Sequence, residues 1–252
     1  NIVNRQMEPV EIYNQHRDGQ IDRSMSHITF GDPIVDAVNE LRECLIDTEF
    51  SEPIFALLRD FYKPGEKISN AFSRWMTSMF CGYGMILVDP SDPNFKTLAA
   101  PIYEKEINRL FDDNAPDESE TDNRLLRDGY HLQVQKFKRG LNLFYSDPLR
   151  KRVLFDEEKD KFTFEDSEYH LSRDDLLKML NDDPLKFSSG ALLRPMVQSK
   201  LLPTVTFLGG SSEISYHAQL KTFFEYYDVA PPVIRPRPSA SLVGKRVNKV
   251  LV

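Results

Sequence analysis

The chain has 252 residues, 39 of them acidic and 32 basic, for a formal net charge of -7 at pH 7. A domain of this size buries roughly three quarters of its unfolded surface, so a full apolar core is available without disulfide or metal staples. With 40% hydrophobic and 28% charged residues the composition is that of a globular protein, and the acidic balance disfavours nucleic acid as a partner because phosphate backbones repel it.

The two cysteines, Cys44 and Cys81, have no Cys-x-x-Cys spacing and no histidine pair nearby, which predicts reduced thiols. No run approaches the roughly 18 apolar residues that span a bilayer, and Asn1-Ile2-Val3-Asn4-Arg5 lacks the apolar heart of a secretory signal. The expectation is a cytoplasmic protein with no membrane contact. The chain starts without methionine and stops at Val250-Leu251-Val252 inside a continuing pattern, so both ends read as cut.

Residues 1–30 form an irregular N-terminal segment, with a short strand expected at 10–13 and a turn at Asp18-Gly19. Asp32-Pro33 then pairs a capping acceptor with a residue preset for the first helical turn, ahead of the stripe Ile34, Val38, Leu41, Leu45. Ser51-Glu52-Pro53 opens a second helix with Phe55, Leu58 and Tyr62 inward, and Pro64-Gly65 breaks the chain. The third helix is the most periodic, with Ile68, Ala71, Phe72, Trp75, Met76, Met79 and Phe80 read as core. After Gly82-Tyr83-Gly84, the continuous apolar run 85–88 predicts a strand covered on both faces. A helix from about Asp92 with Phe95, Leu98, Ile102 and Tyr103 inward completes an α/β core over 31–130.

The acidic stretch 112–122 reads as a solvated loop or as a polar helix ending at Asp128-Gly129. Four β-like runs follow at 132–137, 141–145, 152–155 and 162–165, reversed at Arg139-Gly140 and over 156–161, which predicts an antiparallel hairpin insertion over 131–170. Ser172-Arg173-Asp174-Asp175 has the form of a capping box ahead of Leu176, Leu177, Met179 and Leu180. Within 171–240, a strand at 205–208, a glycine turn, a helix from Ser212 to Tyr227 and a strand at 232–234 spell a βαβ unit with parallel strands. Residues 241–252 read as the start of a helical arm.

Ligands of open α/β sheets sit beyond the carboxyl ends of the strands. Gly209-Gly210-Ser211-Ser212 is such a place: the glycines admit a ligand to the backbone, the serines can donate, and a helix N-terminus favours phosphate or carboxylate. A tight turn with a serine cap fits the same residues equally well, and Glu213 would repel an anion but could hold an amine. Arg194 and Gln198, four residues apart, share a helix face if Pro195 begins that helix. Arg194 can grip a carboxylate or phosphate, or serve in a structural salt bridge. Arg235 and Arg237 follow the last strand, and Tyr216 and Gln219 lie on the helix between. His217 reads either as a base or as a satisfied, partly buried histidine. With His16, His27, His131 and His170 it forms no metal-ligand spacing, and no Gly-x-Ser-x-Gly elbow is present.

The stretches Leu192-Leu193-Arg194-Pro195-Met196-Val197-Gln198, Leu201-Leu202-Pro203-Thr204, Gly209-Gly210, 213–220 and Pro232-Val233-Ile234-Arg235-Pro236-Arg237 resemble, in order and spacing, the signature region of the cysteine-adding enzymes of bacillithiol synthesis, the BshC family. Weaker matches at 62–66, 83–90, 98–101 and 129–134 extend the resemblance over most of the chain from Gly31. It implies a Rossmann-like core with a parallel sheet and a coiled-coil arm, here truncated. It also implies the last step of bacillithiol synthesis, in which cysteine is joined to glucosaminyl malate through an amide bond. That chemistry needs an activated carboxyl, commonly through a nucleotide, for which ATP or ADP is the candidate cofactor. The family's Gly-Gln-Gln loop and its acidic Glu-Asp-His-Asp stretch have no counterpart in these residues.

On this reading Arg194 and Arg237 clamp carboxylates, Glu213 orients an amine, and Gln198, Tyr216 and Gln219 add neutral hydrogen bonds. The turn Gly209, Gly210, Ser211, Ser212 holds phosphate or carboxylate, and a homodimer is a possible assembly. The competing reading is a noncatalytic binding or dimerisation module that keeps the fold.

Overall fold

A computed structural model describes residues 28–116, 118–134, 140–147, 149–241 and 243. The expectations for 10–13, for Asp18-Gly19, for the end of the 132–137 run with its reversal at Arg139, and for nearly all of the 241–252 arm lie outside these residues. The chain divides into two compact units, 1–97 with 145–151, and 98–144 with 152–252.

The first unit is helical. Helix α1 (Pro33–Cys44) carries Pro33 in its first turn, but Asp32 is itself helical in φ and ψ, so its carboxylate makes no cap. Helix α2 (Ser51–Phe61) buries Phe55 and Phe61 as its spacing requires. Its start is held by Ser51 Oγ, which accepts from the Thr48 amide at 2.9 Å. Between α2 and α3 (Ile68–Phe80), Gly65 adopts φ +81, and its amide donates to the Phe30 carbonyl at 2.9 Å. Helix α3 forms where its periodicity places it, yet only Ala71 is buried, while Phe72, Met79 and Phe80 are exposed. The stripe shows a helix correctly and overstates its cover.

The expected buried strand at 85–88 does not form. Those residues have no regular structure, and Ile86 is 86% exposed. An apolar run becomes a strand only by exchanging backbone hydrogen bonds with a neighbour, and no neighbour meets this one among the described residues.

The second unit holds the larger core. Helix α4 (Pro93–Asn108) starts where Asp92 Oδ1 accepts from the Asn94 amide at 2.8 Å. It buries Ala99, Ile102, Tyr103, Glu106 and Ile107 but leaves Leu98 exposed, a slightly rotated face from the one expected. The acidic stretch resolves as helix α5 (Glu118–Arg127), followed by Gly129 at φ +83.

Strands β1 (Gly140–Ser146), β2 (Arg150–Asp156), β3 (Lys161–Phe164), β4 (His170–Leu171) and β5 (Phe187–Ser189) form one sheet in the order β4-β3-β2-β1-β5. The β2–β3 hairpin is antiparallel, with Val153 opposite Phe164 and Asp156 opposite Lys161, and β3–β4 is antiparallel too. Three of the four expected β-like runs are therefore strands; the fourth, as far as 132–134 show, is not. Leu141, Leu143, Val153 and Phe162 fill the sheet's buried positions. Helix α6 (Arg173–Asp182) carries the expected capping box, Asp175 N donating to Ser172 Oγ at 3.1 Å and Ser172 N to Asp175 Oδ2 at 3.0 Å.

Helix α7 (Arg194–Leu201), strand β6 (Thr206–Gly209), helices α8 (Ser211–Ala218) and α9 (Lys221–Tyr226), and strand β7 (Val233–Pro236) complete the chain. Strands β6 and β7 are parallel, with Thr206 opposite Val233 and Gly209 opposite Pro236, so the βαβ unit is present. The single expected helix breaks in two because the amides of Gln219 and Leu220 turn back three residues, to the carbonyls of Tyr216 and His217. The mixed α/β class is as expected; among the described residues the larger sheet is the antiparallel one, and the parallel one has two strands.

Candidate functional site

Strand β6 ends at buried Gly209, whose carbonyl accepts from the Arg237 amide at 2.9 Å, so the end of β7 arrives beside the glycine turn. Glu213, in the first turn of α8, accepts from the Gly210 amide at 2.7 Å and from an Arg237 guanidinium nitrogen at 2.9 Å through the same oxygen, Oε2. A Cβ on Gly210 would lie 2.8 Å from that guanidinium nitrogen. Glycine here lets an arginine pack against the backbone. Ser211 and Ser212 are exposed at the start of the helix.

Arg194 and Gln198 share a face of α7, as their spacing predicts, and are hydrogen-bonded at 2.9 Å from Nη1 to Oε1. Across from them Tyr216 donates its hydroxyl proton to the Ala191 carbonyl. Burial pushes the Tyr216 phenol up to about 12, against the pull of the Arg194 charge, so at neutral pH it is a donor. Burial pushes His217 below its ordinary value, the Arg194 charge adds to this, and Glu213 opposes it. Arg194 and Glu213 are thus both within electrostatic reach of one imidazole. Arg194 is exposed and, among the described residues, has no carboxylate within ion-pair distance.

Gln219 takes a different place. It is fully buried; its Oε1 accepts from the amides of Gln133 at 2.8 Å and Val134 at 3.1 Å, and its Nε2 donates to Asp122 Oδ1 and the Val134 carbonyl. Both ends of the amide are occupied by protein, which ties 133–134 to the joint between α8 and α9.

Residues 1–238 match the family model described as the N-terminal Rossmann-like domain of the bacillithiol biosynthesis protein BshC. The chain belongs to the BshC family. A relative from Salinibacter ruber, named "Putative cysteine ligase BshC", is 33% identical over 229 residues, covering 90% of this chain and 41% of the relative. The correspondingly named proteins of Chlorobium phaeobacteroides and Chlorobaculum tepidum are each 32% identical, with 90% and 91% of this chain and 40% of each relative covered. The chain therefore spans about two fifths of the length of these BshC relatives.

Of the expected site residues in this BshC domain, Gly209, Gly210, Glu213 and Arg237 form one hydrogen-bonded cluster, and Arg194, Gln198 and Tyr216 surround the neighbouring stretch of α7 and α8. Arg235, expected after the last strand, lies within β7 opposite Leu208 and is exposed. Sequence reasoning missed the interior group centred on Glu106. That residue is wholly buried, and its carboxylate accepts from Asn142 N at 2.6 Å, from Arg109 Nε at 2.9 Å and from the Tyr227 hydroxyl. The one signal available was a glutamate among the inward positions of an otherwise apolar helix face.

Proposed function

We propose that this domain forms part of an enzyme that joins L-cysteine to glucosaminyl malate, with loss of water between the cysteine carboxyl and the sugar amine. The observation that carries the reading is the Gly210–Glu213–Arg237 cluster at the carboxyl end of β6, where α/β sheets receive ligands, with Arg194 bonded to Gln198 on α7 and to Tyr216 on the same helix as Glu213. The relatives' name supplies the reaction class.

In this reading Arg194 is the carboxylate-holding group, because its charge is exposed and not spent on a neighbouring acid. Glu213 and Arg237 hold each other, with side chains 46% and 61% exposed. An ion pair so exposed is worth about 0–1 kcal/mol, so substrate groups can replace either partner at little cost, an amine at Glu213 and a carboxylate at Arg237. Tyr216 and Gln198 set the orientation of Arg194.

A nucleotide phosphate does not fit the glycine turn as it stands. The Gly210 amide that would receive it is occupied by the Glu213 carboxylate, which also repels an anion, so no step is routed through a nucleotide there. We further propose that β6 and β7 belong to a larger Rossmann-like parallel sheet. Parallel sheets are normally covered on both faces, whereas Val205, Leu208 and Val233 stand more than half exposed.

The test is cysteine ligation by the full-length protein, with glucosaminyl malate as acceptor and thiol product measured directly. Arg194→Ala should lower kcat/KM by about 10–100-fold, the scale of one charge-assisted contact of roughly 1.5–3 kcal/mol. An R194A enzyme as active as the parent would remove the clamp, and absence of ligation in the parent would remove the reaction.

A further inference from the structure

Met85, Ile86, Leu87 and Val88 form no strand, yet both ends of this run are held. Before it, Gly84 stands at φ +74 with its amide donating to the Cys81 carbonyl at 3.1 Å. After it, Asp89 Oδ1 accepts from the Ser91 amide at 2.8 Å and from the Ser91 hydroxyl at 2.7 Å, and the Asp89 carbonyl accepts from the Asp92 amide at 3.1 Å. Between these anchors no backbone–backbone hydrogen bond reaches the four residues among those described.

Successive side chains of a strand point to opposite faces, so a run that is apolar throughout suits a strand covered on both. Here Ile86, Leu87 and Val88 are exposed instead, and so are Met79, Phe80 and Tyr83 just before them, with the Phe80 and Tyr83 rings 6.4 Å apart. Soluble monomers rarely leave so much neighbouring apolar surface open. Free N–H and C=O groups in a row beside it make a template for strand addition.

The length of the relatives says where a partner lies. This chain covers 41% and 40% of two of them, so most of a BshC protein is outside it. The matched domain is Rossmann-like, a class in which each strand turns into a helix and lies beside parallel neighbours. The run has that order, with Asp89-Pro90 and then α4 after it, as the glycine turn and α8 follow β6. Among the described residues the parallel sheet has only β6 and β7.

We propose that residues 85–88 are the docking site for a β-strand from the part of the BshC protein outside this chain, paired backbone to backbone, and that this part covers Tyr83 and Ile86. The proposal rests on membership of the family and not on the amide-forming reading, so an inactive enzyme would leave it standing.

Hydrogen exchange resolved to single amides, on the parent full-length protein, reads the pairing, and photo-crosslinking reads the partner. Alternate residues of a strand bond to the same neighbour. The amides of Ile86 and Val88, or those of Met85 and Leu87, should therefore exchange about a thousandfold slower than unstructured peptide, as core strands do; all four slow means a strand on each side. Tyr83→p-benzoylphenylalanine, an aromatic exchange at a position 86% exposed, should on irradiation crosslink to a peptide outside these 252 residues. The proposal fails if all four amides exchange within about tenfold of the unstructured rate. It fails equally if the crosslinks stay within these residues, if they join two copies of the protein in a mixed-isotope sample, or if none forms.

Discussion

Glu106 and Glu213 have nearly the same bonds and opposite surroundings. Each accepts from a backbone amide, Asn142 at 2.6 Å or Gly210 at 2.7 Å, and from an arginine at 2.9 Å. Glu106 is fully buried, whereas the Glu213 side chain is 46% exposed. Inside the protein an ion cannot exchange its partners for water, so every bond to Glu106 is structural. At the surface water competes for each partner, and the bonds to Glu213 can be given up to a ligand. A carboxylate's bonding list alone does not show whether it serves the fold or a site; the solvent around it does.

The contrast can be broken most directly by deletion. Glu106→Ala should destabilise the protein by about 3–5 kcal/mol, because it takes the acceptor from the buried Asn142 amide and one acceptor from the largely covered Arg109 guanidinium. Chemical denaturation measures this, and a loss below about 1 kcal/mol would place Glu106 with the surface pairs. Gln219→Leu comes next, at about 1–3 kcal/mol, through the unpaired amides of Gln133 and Val134. A stability equal to the parent's would mean that those amides find other partners.

Alkali supplies a smaller, graded effect. Tyr216 and Tyr226 are both pushed up to about 12, chiefly by burial. A folded-state pKa raised above the unfolded value near 10 means that their contribution is fully present below about pH 10 and is lost as pH rises toward about 12. The denaturation midpoint should fall across that window in step with phenolate absorbance, and Tyr216→Phe should flatten part of the fall. His217 runs the other way: its depressed pKa leaves stability intact above about 6.5 and erodes it as pH falls through the folded value. Smallest of all, Glu213→Gln should change stability by about 1 kcal/mol or less while lowering ligation, a split that Glu106 variants should not show. Equal losses in both quantities would make Glu213 a structural residue like Glu106.

Much of this was legible in the chain. The Ser172 capping box, the β2–β3 hairpin and the parallel pairing of β6 with β7 formed where turn chemistry and period place them. The spacing of Arg194 and Gln198 put them on one helical face, and the resemblance to the BshC family is borne out by a match over residues 1–238. Runs 85–88 and 205–208 show where reading stopped. Both are short, apolar and next to glycines, but among the described residues only the second has a partner, supplied by its own βαβ connection.

Residues adjacent in sequence carried the local decisions by themselves: helix starts, turns, strand alternation and the glycine bend at 209–210, all set by sterics and hydrogen bonds within a few residues. Tertiary structure decided what those signals leave open. It buried Gln219 and Glu106, joined Glu213 to Arg237 across 24 residues, and enclosed both ring nitrogens of His217 without a hydrogen-bond partner among the described residues. Burial and long-range pairing depend on which distant segments arrive at a side chain, and no local pattern encodes that.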